Sequence, residues 1–422
     1  MSERNKQYHI DDIRLFQNKM LSWSSRFNIF CLAGSFGYQN AYSRYELLFA
    51  AQPTAIYEQI ESWSPSALKQ FAEQHPGWLF GHLNYPGEAP DPVGFPACFF
   101  FEPGLCITLT DHLLTIRSTV EHPDAIMLAI QACEPLSENM PPFDGQIQPI
   151  QLRDDYLNAV HTVKQHIARG DCYELNYCQG FQAISHAVNP FLFFQKLTEQ
   201  SPNPFSVLYR LDERFCLSAS PERFLQRVGN TVISQPIKGT IRRDHGQAAL
   251  DESLRHELYH SEKDRSENVM VVDLVRNDLS KVCIRNSVQV AELFGVHTFP
   301  NMHHLISTIE GDVEEDTHWT TILDACFPMG SMTGAPKIKV MELTEKLEAS
   351  PRGLFSGTIG YVEPDGHFDF NVVIRSLFYN RETGLIHVKA GGGITSASEP
   401  EAEYEESLLK ASAILTLLRS GQ

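Results

Sequence analysis

Long apolar runs are missing from this 422-residue sequence. The longest, from Val93 to Phe101, is far shorter than the roughly 20 residues that a membrane-spanning helix needs. The first twelve residues also lack the basic start and apolar centre of a secretory signal peptide. We therefore expect a cytoplasmic protein that does not act at a membrane.

Positive charge is scarce. Lysine and arginine number 34 against 52 aspartates and glutamates, which gives a formal net charge of −18, and no long basic run offsets it. This balance excludes nonspecific binding of nucleic acid. A small anionic substrate remains compatible with it, provided that a metal ion or a few local arginines and lysines meet its charge.

Paired cysteines are also absent. The nine cysteines are scattered without a single CxxC spacing, and most have apolar neighbours, as in Phe215-Cys216-Leu217. This pattern predicts reduced thiols in the protein core. With 42% hydrophobic and 20% charged residues, the composition is that of an ordinary globular protein.

The chain changes character near residue 150. Residues 1–150 mix strand-like and helical stretches without the spacing of a catalytic motif, and a segment at 134–145, rich in proline, glycine and acids, is the best candidate linker. Residues 151–422 begin with a predicted helix that ends at Gly170, followed by a strand at 172–179. Many short strands among helices, without βαβ regularity, predict an α+β layered body.

A predicted hairpin brings one acid and one amine together. Two strand-like runs flank Gly229 and Asn230, which form a two-residue turn signal. Counting outward from this turn places Glu222 opposite the residue before Lys238. Because Pro236 cannot sustain a ladder, the register is free to break there. The pair is either an ordinary surface ion pair or part of a catalytic site.

Two helices are predicted to carry carboxylates in pairs. A capping box predicts the start of one helix, and Asp264 and Glu267 lie on a single face near that start. In a C-terminal helix, Glu403 and Glu406 lie one turn apart, with Lys410 on the same face. If the helices meet, converging carboxylates need a cation between them, and oxygen ligands alone favour magnesium. The alternative is that most of these acids complement the helix dipoles.

Glycine-rich stretches and two cationic residues complete the candidates. The segment 326–337 has glycines and hydroxyls before a predicted helix at 337–347, and three glycines at 391–393 follow a strand. Each stretch could receive an anion or form only a turn. Arg375 ends an apolar strand and needs an anionic partner, either a structural one or a substrate carboxylate. His304 is the one histidine retained as a candidate.

Together and in this order, these stretches resemble the chorismate-binding enzyme family. The likeness covers roughly residues 150–420 and is weaker before them. It is carried by the blocks SPERF (220–224), PIKGT (236–240), EKDRSEN (262–268), VDLVRNDL (272–279), HHLIS (303–307), GSMTGAPK (330–337), GYV (360–362), VIRS (373–376), AGGGI (390–394) and PEAEYEE (400–406).

The resemblance implies an anthranilate synthase component I-like fold, in which two sheets pack as a sandwich with helices outside and residues 1–150 add strands. It also implies a magnesium ion bound by Glu267 and Glu406, with Asp264 and Glu403 in support. The residues that match positions lining the substrate pocket are His304, Thr333, Tyr361, Arg375, Gly391, Gly392, Gly393 and Lys410.

Within the family, the block around Lys238 discriminates between activities. Aminodeoxychorismate synthases resemble this sequence in having lysine there, whereas anthranilate synthases typically have alanine. The resemblance implies that Lys238 attacks C2 of chorismate while Glu222 protonates the departing C4 hydroxyl, after which ammonia attacks C4 and expels the lysine. Because the attacking lysine must be uncharged, we expect burial or the magnesium ion to lower its pKa, with Glu222 protonated.

Glu174 departs from the family pattern. Aminating relatives usually have glutamine in its place, and the water-adding isochorismate synthases have a lysine base. The missing lysine disfavours formation of isochorismate or salicylate. Glu174 is therefore predicted to line the substrate pocket, in a role that the resemblance does not define.

The expected function is conversion of chorismate and ammonia to 4-amino-4-deoxychorismate in folate and para-aminobenzoate biosynthesis. Because no glutaminase signature is recognisable, we expect a separate glutamine amidotransferase subunit to supply the ammonia. Anthranilate synthase component I is the alternative that Lys238 disfavours. A noncatalytic protein that binds chorismate or tryptophan is a further alternative, and it predicts the loss of Glu222, Lys238 or the glutamate pairs, all of which are present.

Overall fold

The computed structural model describes residues 3–36, 38, 44–136 and 139–419. Within these ranges the chain forms twenty strands: β1 (Arg4–His9), β2 (Ile29–Gly34), β3 (Leu47–Gln59), β4 (Leu79–Leu83), β5 (Cys98–Thr110), β6 (Leu113–Ser118), β7 (Gln148–Pro149), β8 (Glu174–Ile184), β9 (Phe205–Leu211), β10 (Arg214–Ser220), β11 (Arg223–Val228), β12 (Thr231–Gln235), β13 (Ile237–Arg242), β14 (Gln289–Thr298), β15 (Met302–Asp312), β16 (Gly334–Ala335), β17 (Thr358–Val362), β18 (Phe368–Asn371), β19 (Ser376–Asn380) and β20 (Leu385–Ile394).

The same ranges contain ten α-helices and one 3₁₀ turn at Gly330–Met332. The helices are α1 (Ile13–Ser24), α2 (Pro65–Gln74), α3 (Pro123–Gln131), α4 (Arg153–Arg169), α5 (Pro190–Gln200), α6 (Ala248–His260), α7 (Glu262–Ser280), α8 (Trp319–Cys326), α9 (Lys337–Leu347) and α10 (Pro400–Arg419). Of these helices in the described chain, none combines the length and the apolar character needed to cross a membrane.

The strands form one continuous antiparallel network, which confirms the α+β class. Strands on either side of residue 150 pair directly, since β2 joins β9 and β4 joins β17. The sheet therefore passes across the point where the sequence changes character. Of the predicted linker, residues 137 and 138 lie outside the described ranges.

Two large hydrophobic cores lie on opposite faces of β2 and β3. Leu32 and Phe49 point into a core shared with helices α1, α3, α5 and α10. Cys31 and Leu48 point the other way, into a core shared with strands β4, β17 and β18. This alternation follows from the two-residue period of a strand. The first core thus packs the sheet against four helices, whereas the second joins strands from different parts of the sheet and also includes side chains of α2, α7 and α8.

Several elements begin and end where the sequence predicts. Helix α9 spans the predicted residues, and α4 is followed by Gly170 in a left-handed conformation, with φ +83. In the hairpin, Val228 pairs with Thr231, but the register shifts by one residue within β11, between Gln226 and Arg223. The register predicted by counting outward from the turn is therefore wrong by one residue next to Glu222.

Candidate active site

One cavity of about 920 Å³ gathers most of the predicted site residues. Strands β13 and β20 line it together with the first turns of α7 and α10. These elements converge because β20 pairs with β8 along its length and α7 packs against β13 and β15. The predicted residues on its wall are Glu222, Lys238, Asp264, Glu267, His304, Arg375, Gly391, Gly392, Gly393, Glu403, Glu406 and Lys410.

The amine of Lys238 is paired within this cavity. Its Nζ donates a hydrogen bond to Glu174 Oε1 at 2.5 Å, and the two side chains are only 8% and 1% exposed. Burial by itself favours the neutral amine, but Glu174, Glu267 and Glu222 outweigh it and raise the pKa of Lys238. As the side chains lie, the pKa of Lys238 is thus raised rather than lowered, because Glu174, which the sequence did not place beside the amine, pairs with it.

Glu222 lies in the loop between β10 and β11 and is almost fully buried. Burial raises its pKa to about 7, against the opposing effects of the Ser331 hydroxyl and the Lys238 amine. A carboxyl group with this pKa still carries its proton just below neutral pH, as a general acid must. The shift agrees with the protonated state expected for Glu222.

Helices α7 and α10 meet at the cavity, so the two predicted carboxylate pairs converge. Lys263 lies between them, with its Nζ 2.9 Å from Glu403 Oε1 and 3.9 Å from Glu267 Oε1. Lys410 Nζ lies 2.7 Å from Glu406 Oε1. Two lysines thus act as counter-ions for acids that would otherwise repel one another.

Glu267 is the acid best suited to a metal ion. Burial raises its pKa to about 7, and its buried Oε1 has no hydrogen-bond partner among the described residues. As the side chains lie, no three His, Cys, Asp or Glu residues in the described ranges are grouped to hold a metal. Displacement of Lys263 from between Glu267 and Glu403 would leave oxygen ligands alone, which suits magnesium.

Two glycines of β20 are required by close approach. A side chain at Gly391 would collide with the backbone of β8. A Cβ at Gly393 would lie 2.5 Å from Glu174 Oε1 and 2.8 Å from Lys238 Nζ. At Gly392 a Cβ would meet nothing nearer than 3.4 Å, so the missing side chain there leaves space in the cavity instead.

The cavity wall also carries a charged guanidinium, that of Arg375, and a neutral imidazole, that of His304. Arg375 has φ +53, and its guanidinium makes no hydrogen bond or ion pair within the described part of the chain. Burial, aided by the nearby Arg375, holds the pKa of His304 well below its usual value, and Nδ1 of this ring lies 2.9 Å from Thr240 Oγ1. The arginine is therefore available to a ligand carboxylate.

Three predicted pocket residues, Glu174, Thr333 and Tyr361, are not among those that line this cavity. Glu174 reaches it only through its hydrogen bond with Lys238. Thr333 follows the 3₁₀ turn and faces inward, where its hydroxyl donates to the Met329 carbonyl oxygen at 3.1 Å. Tyr361 lies on β17 and its ring packs against Tyr45 and Trp78, beside a different cavity. The assignments of Thr333 and Tyr361 came from motif position, which does not reveal the direction of a side chain.

Sequence reasoning also missed residues that do line the cavity. Lys263 directly precedes a predicted carboxylate pair, and Ser331 lies inside a glycine-rich block, so both could have been predicted from the sequence. Asn176 follows Glu174 by two residues on β8, and the alternation of a strand could have found it. Phe355 lies in a loop outside the recognised blocks and carried no signal.

A family model described as chorismate binding enzyme matches residues 32–416. Among curated proteins, the aminodeoxychorismate synthase component 1 of Salmonella typhimurium is 37% identical over 309 residues, covering 73% of this chain and 67% of the relative. The protein of the same name from Escherichia coli is 40% identical over 271 residues, covering 64% and 59%. The matched region thus spans only 59–67% of these relatives.

Solved structures support the fold. Anthranilate synthase component I from Streptococcus pneumoniae has a TM-score of 0.75 at 24% identity, covering 90% of this chain and 94% of that one. The menaquinone-specific isochorismate synthase from Escherichia coli has a TM-score of 0.78 at 17% identity, covering 99% and 95%. At these identities the likeness concerns the fold alone, and it agrees with the predicted architecture.

Proposed function

The chain belongs to the chorismate binding enzyme family, and from that premise we propose that it converts chorismate and ammonia to 4-amino-4-deoxychorismate. The names of the two curated relatives described above support this choice within the family. The observation that carries the proposal is a buried lysine amine, that of Lys238, in one cavity with Glu222, a carboxyl group that can hold a proton at neutral pH.

Recognition of the substrate follows from charge. Chorismate carries two carboxylates, whereas the protein as a whole is strongly acidic. The guanidinium of Arg375, which has no partner within the described part of the chain, can bind one carboxylate, and Lys410 adds a second positive charge to the wall. The space left by Gly392 allows the substrate ring to approach the strand backbone.

The chemistry requires one acid and one nucleophile. Hydroxide is a poor leaving group, so Glu222 donates its proton to the C4 oxygen as the C4–O bond breaks and water departs. Lys238 Nζ forms a bond to C2 in the same step, and the two ring double bonds shift. Ammonia then forms a bond to C4, the C2–Nζ bond breaks, and Glu222 recovers a proton from the new ammonium group.

Magnesium fits the acidic side of the cavity. We infer that Glu267 and Glu406 bind the ion directly and that Asp264 and Glu403 support them, since all four face the cavity. The ion supplies positive charge for a substrate carboxylate. Glu267, with its unpartnered oxygen, is the residue whose own ionised state most needs that charge.

Ammonia is proposed to come from a glutamine amidotransferase subunit. The relatives are named component 1, which implies a second component. On this proposal the chain works in the folate and para-aminobenzoate pathway in the cytoplasm, and glutamine alone supports no turnover by the single chain.

The test is product identity. The purified chain is incubated with chorismate, magnesium and ammonium salt, and products are separated and identified by mass spectrometry. We expect 4-amino-4-deoxychorismate, and no turnover when glutamine replaces ammonium. Anthranilate or isochorismate as the main product would overturn the proposal, as would glutamine-dependent turnover by the single chain.

A further inference from the structure

The partner of Lys238 has a function beyond those assigned above, and the inference rests on the proposed function. Glu174 Oε1 accepts the hydrogen bond from Lys238 Nζ at 2.5 Å. The second oxygen of this carboxylate, Oε2, is buried and has no hydrogen-bond partner among the described residues. As an ammonium ion, Lys238 has no lone pair on Nζ, so it cannot attack a carbon atom until one proton leaves.

Among the described residues near the amine, one carboxylate is suited to take that proton. Glu222 must already hold a proton for the departing hydroxyl, so it cannot also act as the base. Glu267 raises the pKa of Lys238 through space, but it makes no ion pair with the amine within 4 Å. Glu174 is in direct hydrogen-bond contact and projects from β8, a strand in the middle of the sheet.

We propose that Glu174 is the base that deprotonates Lys238 and so makes its amine nucleophilic. One proton moves from Lys238 Nζ to Glu174 Oε1, leaving a neutral amine beside a neutral acid. The amine attacks C2, and the C4 hydroxyl leaves as water with the proton of Glu222. After ammonia attacks C4 and the C2–Nζ bond breaks, the amine takes its proton back from Glu174. Each group then returns to its starting state.

Burial lowers the free-energy cost of moving the proton from Lys238 to Glu174. Both side chains are almost fully buried, and an ion pair loses more solvation there than a neutral pair does. The transfer occurs within one short hydrogen bond and needs no exchange with solvent. Gly393 keeps the two groups together, because a side chain at that position would occupy the space beside both atoms.

A contrasting role for Glu174 makes the opposite prediction. If the carboxylate were only a counter-ion, it would hold Lys238 in its unreactive charged form. Its removal would then lower the pKa of Lys238 and speed the attack at neutral pH. If it is the base, its removal slows the attack. The substitution Glu174→Gln keeps the shape of the side chain and separates the two roles.

The experiment follows the covalent step alone. Chorismate and magnesium are mixed with the protein without ammonia, and the adduct on Lys238 is quantified over time by intact-protein mass spectrometry. We expect Glu174→Gln to form the adduct about 10²–10⁴-fold more slowly than the wild type at pH 6–7. Glu199→Gln, which breaks an exposed pair with Lys196, is the matched control and keeps the wild-type rate.

The pH dependence provides a test that needs no variant. Three carboxylates face the amine: Glu174 from β8, Glu222 from the loop after β10, and Glu267 from α7. At saturating magnesium, which keeps Glu267 ionised, a proton passed within the pair keeps the wild-type adduct rate within about twofold between pH 5.5 and 7, and the remaining change comes from the titration of Glu222. In Glu174→Gln the amine must lose its proton to water, so the rate rises with pH in that range.

The outcomes are distinguishable. A wild-type rate that rises tenfold per pH unit from 5.5 to 7, or an adduct rate in Glu174→Gln equal to or above that of the wild type, overturns the role of Glu174 and leaves the proposed function standing. A wild-type protein that forms neither adduct nor 4-amino-4-deoxychorismate overturns the proposed function and this inference with it.

Discussion

Two clusters of buried charge lie close together in this molecule and differ in how completely they are paired. The first, the reactive cluster, consists of Glu174, Glu222, Lys238 and Glu267. The second, the structural triad, consists of Glu348, Arg352 and Lys389. In the triad, Glu348 is 2.6 Å from Arg352 and 3.0 Å from Lys389, and both cations also donate to backbone carbonyls. The reactive cluster contains carboxylate oxygens with no hydrogen-bond partner among the described residues.

The difference shows in the ionised states. Burial would raise the pKa of Glu348, but Arg352 and Lys389 outweigh it and lower the pKa, so this carboxylate stays charged. Burial prevails at Glu222 and Glu267, whose pKa values rise to about 7. A fully paired cluster holds its charges fixed and serves the fold, whereas an incompletely paired one can exchange protons and receive ligands.

Removal of the amine from the reactive cluster should abolish the chemistry. We expect Lys238→Ala to lower the rate of 4-amino-4-deoxychorismate formation by about 10⁴–10⁶-fold, because the covalent route is lost. The adduct should disappear from mass spectra, and slow amination at C2 can become visible as an aminated product isomeric with the normal one. Formation of the normal product at the wild-type rate would show that the covalent mechanism is wrong.

The matching change in the structural triad should act on stability instead. Glu348→Gln leaves Arg352 and Lys389 as buried cations without a carboxylate, so we expect the free energy of unfolding to fall by about 3–5 kcal/mol. Denaturant unfolding measures this loss. Turnover per folded molecule should stay near the wild-type value at low temperature. Unchanged stability would contradict the structural assignment of the triad.

Removal of a proposed metal ligand tests the other half of the reactive cluster. We expect Glu267→Gln to lower magnesium-dependent turnover by about 10²–10³-fold, since one negative ligand is lost. Stability should not fall, because burial already disfavours the ionised form of Glu267. Glu262→Gln, an exposed change at the start of the same helix, is the control. Full wild-type activity in excess chelator would refute the magnesium assignment.

The smallest expected effect is a pH dependence that comes from Glu222. Its folded-state pKa lies near 7, above the usual value of 4.5, so the required acid form is present below pH 7 and is lost above it. The single-turnover adduct rate should therefore fall about tenfold per unit above pH 7. Measurement without ammonia keeps the titration of ammonium out of the profile. A rate that rises through this range would contradict the role of Glu222 as the acid.

Local sequence signals predicted local structure well. Helix α9 and the Gly170 cap follow from side-chain chemistry within a few residues, and so does the spacing of the glutamates on α7 and α10. The contact between Glu174 and Lys238 joins strands that are 64 residues apart in the chain, and no local pattern encodes it. The directions of the Thr333 and Tyr361 side chains could not be predicted either, because they depend on turn geometry and strand register.

The pairing of β2 with β9 and of β4 with β17 has a consequence for genetics. Every proposed catalytic residue follows residue 150, yet residues before it supply neighbouring strands of the same sheet. Amino acid changes in β2 or β4 should therefore reduce the amount of enzyme that a cell accumulates, while each surviving molecule turns over normally. Increased gene dosage would correct such growth defects, and it would not correct those caused by changes at the reactive cluster.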